Sequence, residues 1–207
     1  MSDAILVGPL CRLFAIDAET ARERVAGIER WWSDVGAALS GRVPVSLPWI
    51  EDGDLEPRRI GLPERGLDAV RFVAVHAARP ELELPDALPD PLWTDPDWRR
   101  AQESRFARSP YGHLLAAEAW LPIDFDFTFV VPRPDGADWS IGSSFALRDQ
   151  LGFLSQRTFG CSPASLAEAH RLAVPLLATA GAALFALGGA VAAAIASRLP
   201  LVVPFRA

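Results

Sequence analysis

The chain has no lysine, and arginine supplies all 20 of its basic side chains. Because arginine, alanine, glycine and proline have GC-rich codons and lysine does not, this composition predicts a GC-rich bacterial source. Cysteine is almost as scarce. Cys11 and Cys161 lie far apart and form no Cys-x-x-Cys pair. This spacing argues against a disulfide-stapled secreted fold and predicts two reduced thiols in the cytoplasm.

Clustered positive charge is also largely absent, since the formal net charge is −6. Binding to a phosphate backbone depends on clustered cations, so we expect no nucleic-acid partner. The chain begins without a basic segment ahead of its short apolar run at 5–10. A secretory signal is therefore not expected, and the predicted location is cytoplasmic.

Sequence motifs for cofactor chemistry are missing. There is no phosphate-cradling glycine-rich loop, no Walker motif, no dinucleotide fingerprint and no Gly-x-Ser-x-Gly turn. His76, His113 and His170 have no neighbour at metal-ligand spacing. The sequence therefore predicts neither a cofactor nor a resident metal.

Half of the 207 residues are hydrophobic and 22% are charged, which is typical of a globular chain. We expect a single domain over 1–207 of the α+β class, with a small, mainly antiparallel sheet and packed helices. Apolar residues recur at helical spacing over 17–40, whereas the apolar run at 69–76 indicates a buried strand. Ser143 is expected to cap a helix reaching Gln156, and 199–205 is expected to form an edge strand.

Apolar and polar residues alternate cleanly over 121–131, as in a strand with one buried face. Asp124 and Asp126 would share the opposite, polar face. Two carboxylates on one face can bind a divalent cation or act in acid/base catalysis, with His113 nearby in sequence. These three are the candidate catalytic residues, although alternation produces such pairs on any half-exposed strand.

The last long segment, 172–197, carries no charged side chain and is long enough to cross a bilayer. Eleven of its residues are alanine and three are glycine, so its insertion energy is small. No Trp or Tyr lies near either end. The composition favours a long Ala-rich helix buried in protein, with Pro175 kinking or splitting it. A C-terminal membrane anchor stays open as an alternative.

Residues 80–98 hold five prolines and six acidic residues and no basic one, which is typical of an extended acidic arm. Such an arm either wraps over its own domain or reaches toward a partner. Large aromatic and arginine side chains are enriched in binding hot spots. Five residues in or near this arm and on the first long helix are the predicted partner-binding set: Trp31, Trp93, Trp98, Arg99 and Arg100.

Residues 120–125 form an aromatic-x-Pro-x-Asp-Phe step, and 141–144 give a Gly-Ser-Ser helix start ahead of Leu147 and Leu151. With these motifs the C-terminal half resembles a loosely defined set of small uncharacterised bacterial proteins. The resemblance implies a soluble fold for the last helix and carries no activity. The chain departs from that pattern at 113–116, where histidine is followed by apolar residues.

These features together predict a non-catalytic protein-binding module, such as an accessory or immunity-type subunit of a bacterial complex. Its partner would be another protein, for example a larger effector or toxin, and self-association is also open. Two alternatives remain: a small metal-assisted or acid/base enzyme using His113, Asp124 and Asp126, and a membrane-anchored protein.

Overall fold

A computed structural model describes residues 4–79, 81–133 and 136–204. Six strands in this part form one sheet in the order β2-β1-β6-β3-β5-β4. All neighbours pair antiparallel except β3 and β5, which are parallel. The strands are β1 (Ala4–Val7), β2 (Arg58–Gly61), β3 (Ala119–Leu121), β4 (Phe129–Pro132), β5 (Asp138–Ser143) and β6 (Leu201–Val202).

Helices cover both faces of the sheet, and the predicted α+β class is confirmed. One face carries the larger core, where α7 packs against α3 and α6; the other face is covered by α1 and α2. Neighbouring strand residues alternate between these cores, as Trp120 and Leu121 do. The helices are α1 (Leu10–Leu13), α2 (Ala18–Ala38), α3 (Gly66–Ala77), α4 (Pro96–Glu103), α5 (Gly112–Ala116), α6 (Ser144–Phe159) and α7 (Pro175–Ser197).

Two predicted helices begin close to their predicted starts, and the predicted cap at Ser143 is present. Asp17 accepts a hydrogen bond from the Thr20 amide at 2.8 Å and begins α2. Ser143 caps α6 by accepting from the first amides of the helix. Helix α6 runs past the predicted Gln156 and ends at Gly160, whose φ of +69° suits glycine.

The predicted strand at 69–76 is wrong, because this segment forms most of α3. Almost every side chain from Leu67 to His76 is buried, since α3 packs against α4, α6 and α7. A helix that is buried nearly all round loses the 3.6-residue alternation of an amphipathic helix. Its short apolar run then resembles a buried strand.

The continuous strand predicted over 121–131 is also wrong. Strand β3 ends at Leu121 and β4 begins at Phe129, with irregular backbone between them. Since β5 lies between β3 and β4 in the sheet, the intervening residues must leave β3 and pass to the far side of β5. Burial still alternates there: Ile123 and Phe125 are buried, whereas Asp124 and Asp126 are exposed.

The C-terminal segment differs from prediction in two ways. Strand β6 is an interior strand between β1 and β3, not an edge strand, and only two of its residues enter the ladder. Pro200 and Pro204 fall outside those two, so no ladder hydrogen bond is lost. Of the two effects expected of Pro175, the structure has the split and not the kink, because Pro175 occupies the first position of α7, where a missing amide hydrogen costs nothing.

Candidate functional site

The candidate catalytic histidine is buried and accepts a backbone hydrogen bond. His113 is 4% exposed, and its Nδ1 accepts a hydrogen bond from the Ser143 amide at 2.9 Å. The neutral ring therefore carries its proton on Nε2. Burial lowers the pKa of His113 below its ordinary value, and neighbouring Asp126 opposes the shift in part. A neutral ring locked by a backbone amide is suited to holding α5 against β5.

Asp124 and Asp126 lie on the surface beside this buried ring. The charge of Asp126 acts on His113, whereas that of Asp124 acts on Arg148. Across 4–79, 81–133 and 136–204, no three His, Cys, Asp or Glu side chains come together to hold a metal ion. Within the described part of the chain, the three candidate residues are thus near neighbours that do not form a metal-ligand set.

The acidic arm lies on its own domain. Leu84, Leu88 and Leu92 pack against the larger core, and the Leu176 amide at the start of α7 donates to the Asp86 carbonyl at 3.0 Å. The arm is therefore held to the start of α7 by a backbone hydrogen bond and to the larger core by its leucines.

The predicted partner-binding residues separate into buried and exposed groups. Trp98 is 8% exposed and packs near Phe106, with ring centres 5.8 Å apart, so it belongs to the core. Trp31 is half-buried and donates from Nε1 to the Pro132 carbonyl at 2.7 Å. The exposed members are Trp93, Arg99 and Arg100.

A concave surface lies elsewhere, between α6, α7 and the edge strand β2. It is an open groove of about 890 Å³ with a predominantly apolar lining. Phe153 of α6 and Phe185 of α7 remain 51% and 42% exposed beside it. The charged residues in its lining are Arg58, Arg148 and Asp149. A predominantly apolar lining of this kind suits apolar contact.

Close backbone approach builds one wall of this groove. A Cβ atom at Gly188 would lie 3.0 Å from Cβ of Pro163, which begins a short 3₁₀ turn. At Gly181 it would lie 2.5 Å from Cβ of Ala169, in a second such turn. Both glycines thus let these turns pack directly on α7, beside the helix face that stays uncovered.

The groove was not predicted from the sequence, although the spacing of small residues along α7 indicates an uncovered helix face. The uncovered side of α7 carries exposed or half-buried residues at alternating spacings of four and three, which places them on one helix face. Five are small and one is phenylalanine. They are Ala178, Ala182, Phe185, Gly189, Ala192 and Ala196.

Helix α7 is long and apolar enough to cross a membrane by length and composition, with a mean hydropathy of 1.9 in its most apolar window. Core helices pass the same test, and 44% of that window is buried within the protein. The buried side includes Leu184, Leu187 and Val191. The hydropathy of α7 therefore does not decide between a core helix and a membrane helix, and the cytoplasmic location stays a prediction.

Comparison with known proteins adds no family. No protein-family model matches the chain, and neither a curated protein nor a solved structure is significantly similar to it. The resemblance to small uncharacterised bacterial proteins therefore stays a prediction.

Proposed function

We propose that the chain is a non-catalytic protein-binding module, an accessory or immunity-type subunit of a bacterial complex. The groove between α6, α7 and β2 is the observation that carries this proposal. Exposed apolar patches rimmed by polar residues are characteristic of protein contact sites. Here Phe153 and Phe185 supply large apolar surfaces, and Arg58 and Arg148 also line the groove.

The arrangement around His113 supports a binding role over an enzymatic one. Its Nδ1 is already engaged by the Ser143 amide, and the ring is buried. A general base must reach the proton that it abstracts, directly or through one water. A buried, hydrogen-bonded imidazole with carboxylates only at the surface offers no such path.

Packing of α7 supports a helix that stays in the protein. Leu184, Leu187 and Val191 are buried in the larger core, and each such side chain contributes roughly 1.5–3 kcal/mol when removed from water. Withdrawing α7 into a bilayer would expose the facing surfaces of α3 and α6. We therefore place the binding surface on the outer side of a helix whose inner side is needed for folding.

Co-purification with the products of neighbouring genes tests this proposal. A double variant, Phe153→Asp with Phe185→Asp, places two charges on the groove. The matched control, Val45→Asp with Ile50→Asp, changes two exposed apolar residues elsewhere. We expect the groove variant to lose at least about 90% of a partner that the wild type and the control retain, as loss of a hot spot predicts. Equal recovery by a folded groove variant would contradict the proposal.

A further inference from the structure

We infer that a smaller cavity, between the ends of α3 and α6 and the start of the acidic arm, binds a small organic carboxylate. The volume of this cavity is about 260 Å³, which is just below the range of drug-sized sites and suits a short-chain acid. It shares no lining residue with the groove between α6, α7 and β2. The carboxylate site is therefore independent of the proposed function.

Three segments of the chain meet around this cavity. Arg157 and Thr158 lie in the last turn of α6, and His76 and Arg79 lie at the end of α3. The Leu82 amide donates to the Arg79 carbonyl at 3.0 Å, and this turn carries the acidic arm across the cavity. Side chains from two helices and from the arm thus line one enclosed volume.

The lining combines aliphatic and polar residues in equal number. Four residues are aliphatic: Val73, Ala77, Leu82 and Leu84. Four are polar: His76, Arg79, Arg157 and Thr158. Ligand sites typically have an apolar lining with a few polar groups that orient the ligand. A ligand with a short hydrocarbon body and an anionic head group matches both sets of residues.

Positive charge at the cavity exceeds the negative charge paired with it. Arg157 is exposed, and among the described residues it forms no ion pair. Arg79 lies 3.4 Å from Asp97, but that carboxylate is shared with Arg100, which lies closer at 3.0 Å. One carboxylate thus serves two guanidinium groups. A guanidinium with free donors is the group best suited to bind a ligand carboxylate.

The neighbouring negative groups do not cancel this charge. Glu81 and Glu83 alternate with the cavity-lining Leu82 and Leu84, and both glutamates are exposed to solvent. The C-terminal ends of α3 and α6 each contribute only about half of a negative charge. Two full guanidinium charges therefore leave the cavity electropositive, although the whole chain has a net charge of −6.

The buried imidazole of His76 supplies a second, independent observation. The residue is 5% exposed, and neither ring nitrogen has a hydrogen-bond partner within the described part of the chain. Its Nε2 lies 3.9 Å from Oδ1 of Asp95, beyond hydrogen-bond distance, and that oxygen accepts from the Trp98 amide at 2.7 Å. Buried polar groups are normally paired. A carboxylate in the cavity supplies the acceptor that the imidazole N–H lacks.

Calorimetric titration of the full chain with isocaproate tests the inference, and isocaproamide is the uncharged control of the same shape. We expect the acid to bind with a dissociation constant below about 1 mM. The amide should bind at least about 10-fold more weakly, because charge-assisted hydrogen bonds are lost.

Two arginine variants assign the head group. Arg157→Gln should weaken binding of the acid by about the same 10-fold factor and leave binding of the amide unchanged. Arg30→Gln removes an equal charge at an exposed position of α2, on the other face of the sheet. This control variant should bind both compounds as the wild type does.

Nuclear Overhauser contacts locate the bound acid. The methyl protons of isocaproate should show contacts to the methyl groups of Val73 and Leu84, which line the cavity. Ala77→Leu places a larger side chain in the cavity and should abolish binding with Arg157 intact. Circular dichroism and thermal unfolding verify that this variant is folded.

Four results would overturn the inference. They are the absence of binding at about 10 mM acid, equal binding of acid and amide, full binding by a folded Arg157→Gln variant, and phosphate binding as tight as that of the acid. The last result would indicate a plain anion site that does not use the aliphatic lining. The groove variant, Phe153→Asp with Phe185→Asp, should still bind isocaproate. Failure of the carboxylate site and failure of the proposed function are thus separate outcomes.

Discussion

The Ser143 amide donates a hydrogen bond to Nδ1 of His113 over 2.9 Å, and this bond joins α5 to the junction between β5 and α6. The two chain segments approach closely at this point. A Cβ atom at Gly142 would lie 3.0 Å from the same Nδ1 atom. The residue that best resembled a catalytic base in the sequence therefore joins α5 to the sheet through a backbone hydrogen bond.

The buried histidine predicts a loss of stability in mild acid. Burial lowers the pKa of His113 in the folded chain, so below its ordinary value of 6.5 the unfolded chain binds a proton that the folded chain does not. The free energy of unfolding should thus fall as the pH drops below about 6.5. Denaturant unfolding at a series of pH values measures this.

Two substitutions identify the histidine responsible. His113→Gln should flatten the decline between pH 6.5 and 5 relative to wild type, because the titrating group is gone. His170→Gln, at an exposed histidine, should leave the profile unchanged. An unaltered slope in His113→Gln would contradict the assignment.

Removing the hydroxyl of Ser143 should destabilise the fold. Its Oγ accepts from the Phe145 and Ala146 amides at 3.2 Å each and donates to the Ile123 carbonyl at 2.6 Å. Ser143→Ala therefore loses a helix cap and leaves a buried carbonyl without its donor, at a cost of about 1–3 kcal/mol. Chemical denaturation checks this value. Ser197→Ala, at an exposed position on α7, should change stability by less than about 0.5 kcal/mol.

Two glycines of α7 should respond oppositely to alanine. Gly181→Ala places a methyl group 2.5 Å from Cβ of Ala169, and such overpacking costs about 1–3 kcal/mol. Gly189→Ala meets no atom within 4 Å and should stabilise the fold by about 0.5–1 kcal/mol. Thermal unfolding compares the two. Equal effects would mean that the 3₁₀ turn does not pack on α7 as described.

The two cysteines should differ sharply toward thiol reagents. Burial and the neighbouring Glu51 carboxylate raise the pKa of Cys11 to about 12, so almost none of it is thiolate at pH 8. Cys161 is only partly buried. Native protein should take up one alkyl group, at Cys161, and a second only in denaturant. Mass spectrometry of digested samples distinguishes the sites, and early alkylation of Cys11 would count against the packing around Glu51.

The fold was predictable where local chemistry decided it. Asp17 and Ser143 mark helix starts because their side chains satisfy helix amides, and the structure has both caps. Segments decided by long-range packing were not predictable. The run at 69–76 became helical because its surroundings bury it on several sides. The short strand β6 entered the centre of the sheet because β1 and β3 pair with it there.

The candidate site was predictable only in part. The charge-free length of α7 was plain from the sequence, but which side faced inward depended on where α3, α6 and the 3₁₀ turns packed. Trp93 and Trp98 illustrate the same limit. They lie five residues apart, yet Trp93 is 66% exposed and Trp98 belongs to the core. The composition identified these tryptophans as large side chains suited to binding, but it did not show which of them points into the core.

The central claim is that the groove between α6, α7 and β2 is a protein contact surface. Photo-cross-linking in living source cells, with benzoyl-phenylalanine replacing Phe153, tests it most directly. The account predicts a discrete protein adduct. The adduct should disappear when Phe185→Asp is added and should not form from Ile50, which is 79% exposed away from the groove. A probe at position 153 that yields no protein adduct, or the same diffuse products as at 50, would contradict the account.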